Sequence, residues 1–127
     1  MNVATLASKW VAVSNGRDRF YIQLRVPTYD DRLTHHARAT QYALSDVHDR
    51  VQIDRERIDW CLGFVTGWRD VQDESGLPCD FSQEHFQQLI VAHPRVMLSI
   101  VSAVEDMLAA DLTEDQRGNS AGQLSNG

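Results

Sequence analysis

Trp68-Arg69-Asp70-Val71-Gln72-Asp73-Glu74-Ser75-Gly76-Leu77-Pro78-Cys79-Asp80-Phe81-Ser82 is the stretch on which the reading of this chain turns. It predicts the end of one helix at Trp68, a tight turn, a short extended piece and the N-cap of a new helix at Ser82. Serine suits that last position because its hydroxyl takes up an orphan backbone N–H. Trp68 stands between the two helices, placed to seal their junction against Phe81 or Leu77. Gly67 and Gly76 bracket the helix end and the turn that follows it.

Upstream of this stretch, a helix is expected from about Asp54. Ile58, Cys61, Leu62 and Val65 make one apolar face of it, and Trp60 and Phe64 another. A helix apolar on two sides is central in its bundle. Before it, Tyr29, Leu33, Ala37, Thr40, Leu44, Val47 and Val51 recur at three or four residues and read as one helical stripe. Thr28-Tyr29-Asp30-Asp31 opens that stripe, with Thr28 as N-cap and acids in the first turn. Arg19 to Val26 alternates: Phe20, Ile22, Leu24 and Val26 point one way, Arg19, Tyr21, Gln23 and Arg25 the other. Trp10-Val11-Ala12-Val13 is a second strand, and Asn15-Gly16 between them predicts a hairpin. With two strands evident, the strand from Arg19 presents an open edge, which favours pairing with another chain.

Downstream, Phe86, Leu89, Ile90 and His93 line the inner side of the helix begun at Ser82. His93-Pro94 ends it, and Pro94 suits the first turn of the next helix. Val96, Met97, Ile100, Val101, Val104, Met107 and Leu108 form the stripe of that last helix. The fold class predicted is α+β, mostly α: an N-terminal β-hairpin over about 10–26, then a bundle of about four helices over about 28–108. One domain is expected over 1–110, with 111–127 a flexible polar tail, since that segment has few large apolar residues.

The 127 residues include 12 Lys+Arg against 18 Asp+Glu, a net charge of −6. A nucleic-acid binder needs a cationic footprint to displace counterions from phosphates, so DNA and RNA are not expected partners. Met1 to Lys9 lacks a long apolar run, so no signal peptide is read. No apolar run approaches the roughly 18 residues of a membrane span. Cys61 and Cys79 make no disulfide framework, which suits a reducing cytoplasm.

Catalytic and metal chemistry find no support in the residue pattern. His35 and His36 are adjacent, about 100° apart on a helix, and share a metal poorly. His85 and His93 are two turns apart, and neither cysteine belongs to a Cys-x-x-Cys pair. Asp46, Asp49, Asp54, Glu56 and Asp59 alternate with Arg50, Arg55 and Arg57, as a solvated helix face does. No Gly-x-Ser-x-Gly or phosphate loop is present; Gly63 and Gly67 lie within a helical pattern. The expectation is a non-enzyme with no cofactor and no metal. Phe20, Ile22, Trp68, Met97 and Met107 are the candidate partner-binding residues, the methionines as a pliable groove.

The order of motifs resembles the phage tail assembly chaperone family. In that family a helix ending in Trp is followed by an apolar residue three further on, an acidic pair, Gly, an apolar-Pro step and Phe-Ser before a helix. Here these are Trp68, Val71, Asp73-Glu74, Gly76, Leu77-Pro78 and Phe81-Ser82. Leu24-Arg25 running into Thr28-Tyr29-Asp30-Asp31 resembles the family's strand-to-helix entry. Asp70 stands where Gly is common after the Trp, and Cys79 where an aliphatic residue is usual. The resemblance implies a chaperone that coats the tape-measure protein, keeps it soluble, recruits tail-tube subunits and leaves before the tail matures. It implies a place in the host bacterial cytoplasm and absence from the mature virion; the open edge adds the expectation of a homo-oligomer, and charge and hydropathy that of no nucleic acid or membrane partner. The rival readings are a structural phage component, such as a head–tail connector or minor tail protein, and a small bacterial enzyme.

Overall fold

The computed structural model describes residues 8–109. The polar segment 111–127 lies outside the described residues. The fold is α+β and mostly α: a small antiparallel sheet and four helices among the described residues.

The hairpin forms where the sequence places it. Strand β1 (Ser8–Ser14) pairs with β2 (Arg19–Arg25) in unbroken register from Ser8↔Arg25 to Ser14↔Arg19. The turn is closed by Asn15. Its N–H donates to the Asp18 carbonyl (3.2 Å), and its side-chain oxygen accepts from the Arg17 and Asp18 N–H groups at 3.0 and 2.7 Å. Gly16 takes φ +94°, a conformation that a side chain disfavours. Phe20, Ile22 and Leu24 on β2 point into the core and are 0–2 % exposed.

Three expectations are corrected. Trp68 ends no helix; it lies in a third strand, β3 (Val65–Arg69), which pairs antiparallel with β2. The sheet order is β1-β2-β3, so the strand from Arg19 is central, with no open edge. The β2–β3 register shifts between Gln23 and Leu24, and a Cβ on Gly67 would lie 2.9 Å from Gln23 Oε1, the far end of a side chain that can turn aside. Gly63 and Gly67 are therefore not helix-interior positions: Gly63 is the C-cap of the preceding helix, and Gly67 lies in β3 opposite Gln23.

A further correction concerns the long stripe. It is divided into α1 (Tyr29–Leu44) and α2 (Val47–Leu62), so the second helix starts at Val47 and not near Asp54. Ser45 and Asp46 make the break: Ser45 ends α1, and the Asp46 side chain accepts from the Asp49 N–H at 2.9 Å. The α1 start is as predicted. Thr28 Oγ1 accepts from the Asp31 N–H, and the Asp31 carboxylate accepts from the Thr28 N–H, a reciprocal capping box.

After β3, Asp70 adopts φ +64°, which is why glycine suits that position. A small loop follows: Asp73 N–H bonds the Leu77 carbonyl, Cys79 N–H bonds the Val71 carbonyl, and Gly76 sits at φ +80°. Ser82 then caps α3 (Gln83–Ala92) by accepting from the His85 N–H at 3.0 Å. His93 ends α3, and α4 runs over 94–109. One core unites Phe20, Ile22 and Leu24 with Phe64 and Trp68, Phe86 and Ile90, and the α4 stripe of Val96, Ile100, Val104 and Met107.

Candidate functional site

The sequence-named partner residues converge in space, but inside the protein. Phe20, Ile22, Trp68 and Met107 are all buried in the one core, and Met97 is half-buried against it. Trp68 packs edge-on against Phe81 with ring centroids 5.2 Å apart. Its indole N–H donates to the Cys79 carbonyl at 2.7 Å. Leu77, the other predicted neighbour, is exposed. In this fold these residues hold β3, its following loop and α4 together and do not present a surface.

Trp10, Leu77, Val91 and Leu98 are exposed singly on other elements, and several exposed apolar residues fall together on α1. No residue of this 16-residue helix is buried. Tyr29 is 71 % exposed, Leu33 50 % and Leu44 83 %, and the helical period puts the three on one side. On the first turns of α2, Val47 and Val51 are 75 % and 51 % exposed. The second half of α2 differs, since Ile58 and Leu62 pack against the core. The α1–α2 hairpin therefore carries its apolar residues past the edge of the core and into water.

The inner side of α1 is polar, which explains the orientation. Asp31, Arg32, His35 and Arg38 are the half-buried residues of the helix. Asp31 forms a two-point ion pair with Arg25 on β2, at 2.5 and 3.3 Å. The Arg25 guanidinium lies over the Phe64 ring, 3.8 Å from its centroid. Burial alone would raise the Asp31 carboxyl; the Arg25 guanidinium and the Thr28 N–H and hydroxyl outweigh it and hold it below the usual carboxylate range. Arg38 lies 5.2 Å from the Trp60 ring, with one buried guanidinium nitrogen lacking a hydrogen-bond acceptor among the described residues. Arg50 on α2 donates to the Tyr42 carbonyl at 3.1 Å. Polar and cation–π contacts thus hold α1, and its apolar side is left over.

Two hollows flank these elements. One of about 360 Å³ lies between α1, α2 and α4, lined by His35, Arg38, Tyr42, Ile53, Arg57 and Glu105. Arg57 bridges Glu105 at 2.7 Å and Asp54 at 3.3 Å, tying α2 to α4. The other, about 630 Å³, runs from the hairpin turn to the loop after β3, past Asp18, Trp68, Asp70 and His93. Among the described residues no group of three His, Cys, Asp or Glu could hold a metal ion. Cys61 is fully buried; burial, with the Glu105 carboxylate nearby, pushes its thiol up to about 11 against the pull of Arg57 and Arg38. Such a thiol is a packing group and a poor nucleophile. No described helix is long and apolar enough to cross a membrane.

The sequence shows the Tyr29–Leu33–Leu44 stripe but not its orientation. One signal of it exists: Ala37 and Thr40 leave the middle of the stripe thin, whereas the α4 stripe has a large apolar residue at every turn. Comparison with known proteins finds no match: no family model, curated protein or solved structure is similar to this chain.

Proposed function

We propose that this protein is a phage tail assembly chaperone: it binds the tape-measure protein in the host bacterial cytoplasm, keeps it soluble, recruits tail-tube subunits, and is absent from the mature virion. The observation that carries the reading is α1, a full-length helix with an exposed apolar side and no buried residue. An amphipathic helical client lays its own apolar side on such a surface, with anchors every three or four residues. The motif order from Trp68 to Ser82 supports the same reading, and it requires no catalytic group. The contact moves from the residues named on sequence grounds to Tyr29, Leu33, Leu44, Val47 and Val51. Net negative charge keeps a protein with such a patch soluble.

Co-expression with the tape-measure protein of the same phage tests the proposal. The client is expected to stay soluble, to co-purify, and to remain bound at high salt, because an apolar contact is not screened. The double variant Leu33→Asp, Leu44→Asp is expected to fold normally and lose the client. A tape-measure protein that stays insoluble and unbound at every salt concentration overturns the proposal. So does detection of this chain in purified virions by mass spectrometry.

A further inference from the structure

The open side of the sheet is β1. Its partner β2 is flanked on both sides, whereas β1 pairs with β2 along its whole length and, among the described residues, has no strand against its other edge. The hydrogen-bond phase follows from the turn. Asn15 N–H donates to the Asp18 carbonyl, so in an antiparallel ladder the next hydrogen-bonded pairs are Val13–Phe20, Val11–Ile22 and Lys9–Leu24. The backbone groups of Ser8, Trp10, Ala12 and Ser14 therefore point away from β2, toward the open edge.

That edge has little protection. Edges are normally blunted by proline, bulges, charges or shortness. β1 has seven residues, no proline, no register shift and one charge, Lys9. The opposite edge, β3, is five residues long, is register-shifted and ends at the left-handed Asp70. Trp10 stands 41 % exposed on β1, with the Arg69 guanidinium 4.7 Å from its ring and 4.6 Å from that of Tyr21.

We infer that β1 pairs antiparallel with β1 of a second copy, about a two-fold axis at Val11, joining the two sheets into one of six strands. This register sets Val11 against the partner's Val11, Trp10 against the partner's Ala12, Lys9 against the partner's Val13 and Ser8 against the partner's Ser14. It is self-complementary in three respects. The outward-facing residues Ser8, Trp10, Ala12 and Ser14 meet only one another, so up to about eight new backbone hydrogen bonds form. A slip of one residue would oppose outward-facing to inward-facing groups and exchange the two faces of the strand. The large Trp10 meets the small Ala12, twice. The two Lys9 side chains sit four residues apart along the seam, roughly 13 Å at the rise of a strand, beyond the ~8 Å screening length at physiological salt. An edge contact of seven residues is smaller than the ~1,200 Å² typical of stable interfaces, so the dimer is weak and concentration-dependent. The α1 stripe stays free, and the inference stands independently of the client.

Sedimentation of the full chain from about 1 to about 500 µM, a range that brackets weak association, tests the inference. The weight-average mass is expected to rise from 14.4 kDa toward twice that value. Ala12→Pro removes an outward N–H and spares the β2 ladder, as proline does on an edge strand. It is expected to weaken the dimer about tenfold or more. Ala12→Asp, which sets a carboxylate against the electron-rich face of the partner's Trp10, is expected to do the same with an unchanged circular dichroism spectrum and melt. Amide exchange reads the seam directly: Trp10 and Ala12 are protected at high concentration only, Val11 and Val13 at both extremes. A constant 14.4 kDa mass overturns the inference. So does a dimer that Ala12→Pro leaves unchanged, or one lost only when Leu33 and Leu44 are altered.

Discussion

Replacing Asp31 tests how α1 is held. Its carboxylate does two jobs. It accepts from the Thr28 N–H in the capping box, and it pairs with Arg25, whose guanidinium lies over Phe64. A lost cap costs about 1 kcal/mol. The ion pair is uneven in exposure, with Arg25 at 37 % and Asp31 at 12 %, so about 1 kcal/mol is the upper range for it. Asp31→Ala is therefore expected to cost about 2 kcal/mol, or roughly 8–16 °C in Tm for a domain of this size. Asp31→Asn keeps an acceptor for Thr28 and loses the charge, so about half of that is expected. The sign with pH follows from the lowered carboxyl. Its stabilisation is fully present above the unfolded value of 3.8 and is lost as pH falls through the lower folded value. Thermal melts of wild type and Asp31→Asn at pH 7 and in steps below pH 4 check this: the gap should be constant down to about 4 and then close. Equal melts at pH 7, or a gap that persists unchanged into strong acid, would refute the account of how α1 is anchored.

Trp68→Ala, which empties a core position and frees the Cys79 carbonyl, should cost roughly 3–5 kcal/mol in chemical denaturation. Trp68→Phe should cost less, since it keeps most of the packing against Phe81 and loses the N–H donor. Leu33→Asp and Leu44→Asp should each change stability by no more than about 0.5 kcal/mol, because neither side chain is buried. With maleimide at neutral pH, the native chain should take one label, on half-buried Cys79, and two after denaturation. Labelling of Cys61 in the native protein would contradict its burial.

The elements legible in the sequence are those whose signals are local. Thr28 with Asp31, Ser82, Asn15-Gly16 and His93-Pro94 each fix a boundary through a side chain acting on backbone within four residues, and all four boundaries appear in the fold. Strand β3 was hidden for a physical reason. Val65 continues the helical spacing of Ile58, Cys61 and Leu62, and a five-residue strand whose own ladder skips Thr66 shows no clean alternation. The break at Ser45-Asp46 was hidden because Leu44, Val47 and Val51 keep helical phase across it. The exposure of the α1 stripe was hidden for a third reason. Buried core positions and binding positions draw on the same apolar residues, so composition cannot tell Met107 in the core from Leu44 in water. The contacts of Asp31 with Arg25 and of Arg38 with Trp60 decide which side of α1 faces inward, and both partners lie on other elements.

The orientation of α1 also bears on how tightly a client can be held. Full burial of an aliphatic or aromatic side chain yields about 1.5–3 kcal/mol. At their fractional exposures, Tyr29, Leu33, Leu44, Val47 and Val51 together offer about 7 kcal/mol. Association itself costs an estimated 4–15 kcal/mol in lost freedom. A single copy on a single helical site is thus weak, and it can leave without a dedicated release step. On the proposed chaperone reading, coating a long rod depends on many copies, and the inferred β1-linked pair would raise occupancy because the second α1 would bind at the effective concentration set by the first. Such a coupling predicts that Ala12→Pro weakens client coating by more than it weakens any one contact. Titrating a short tape-measure fragment with one site against a long one with many separates the two: the variant should match wild type on the short fragment and fall behind on the long one. Equal loss on both would place β1 in the client contact itself, and equal retention on both would leave the pair without a part in coating.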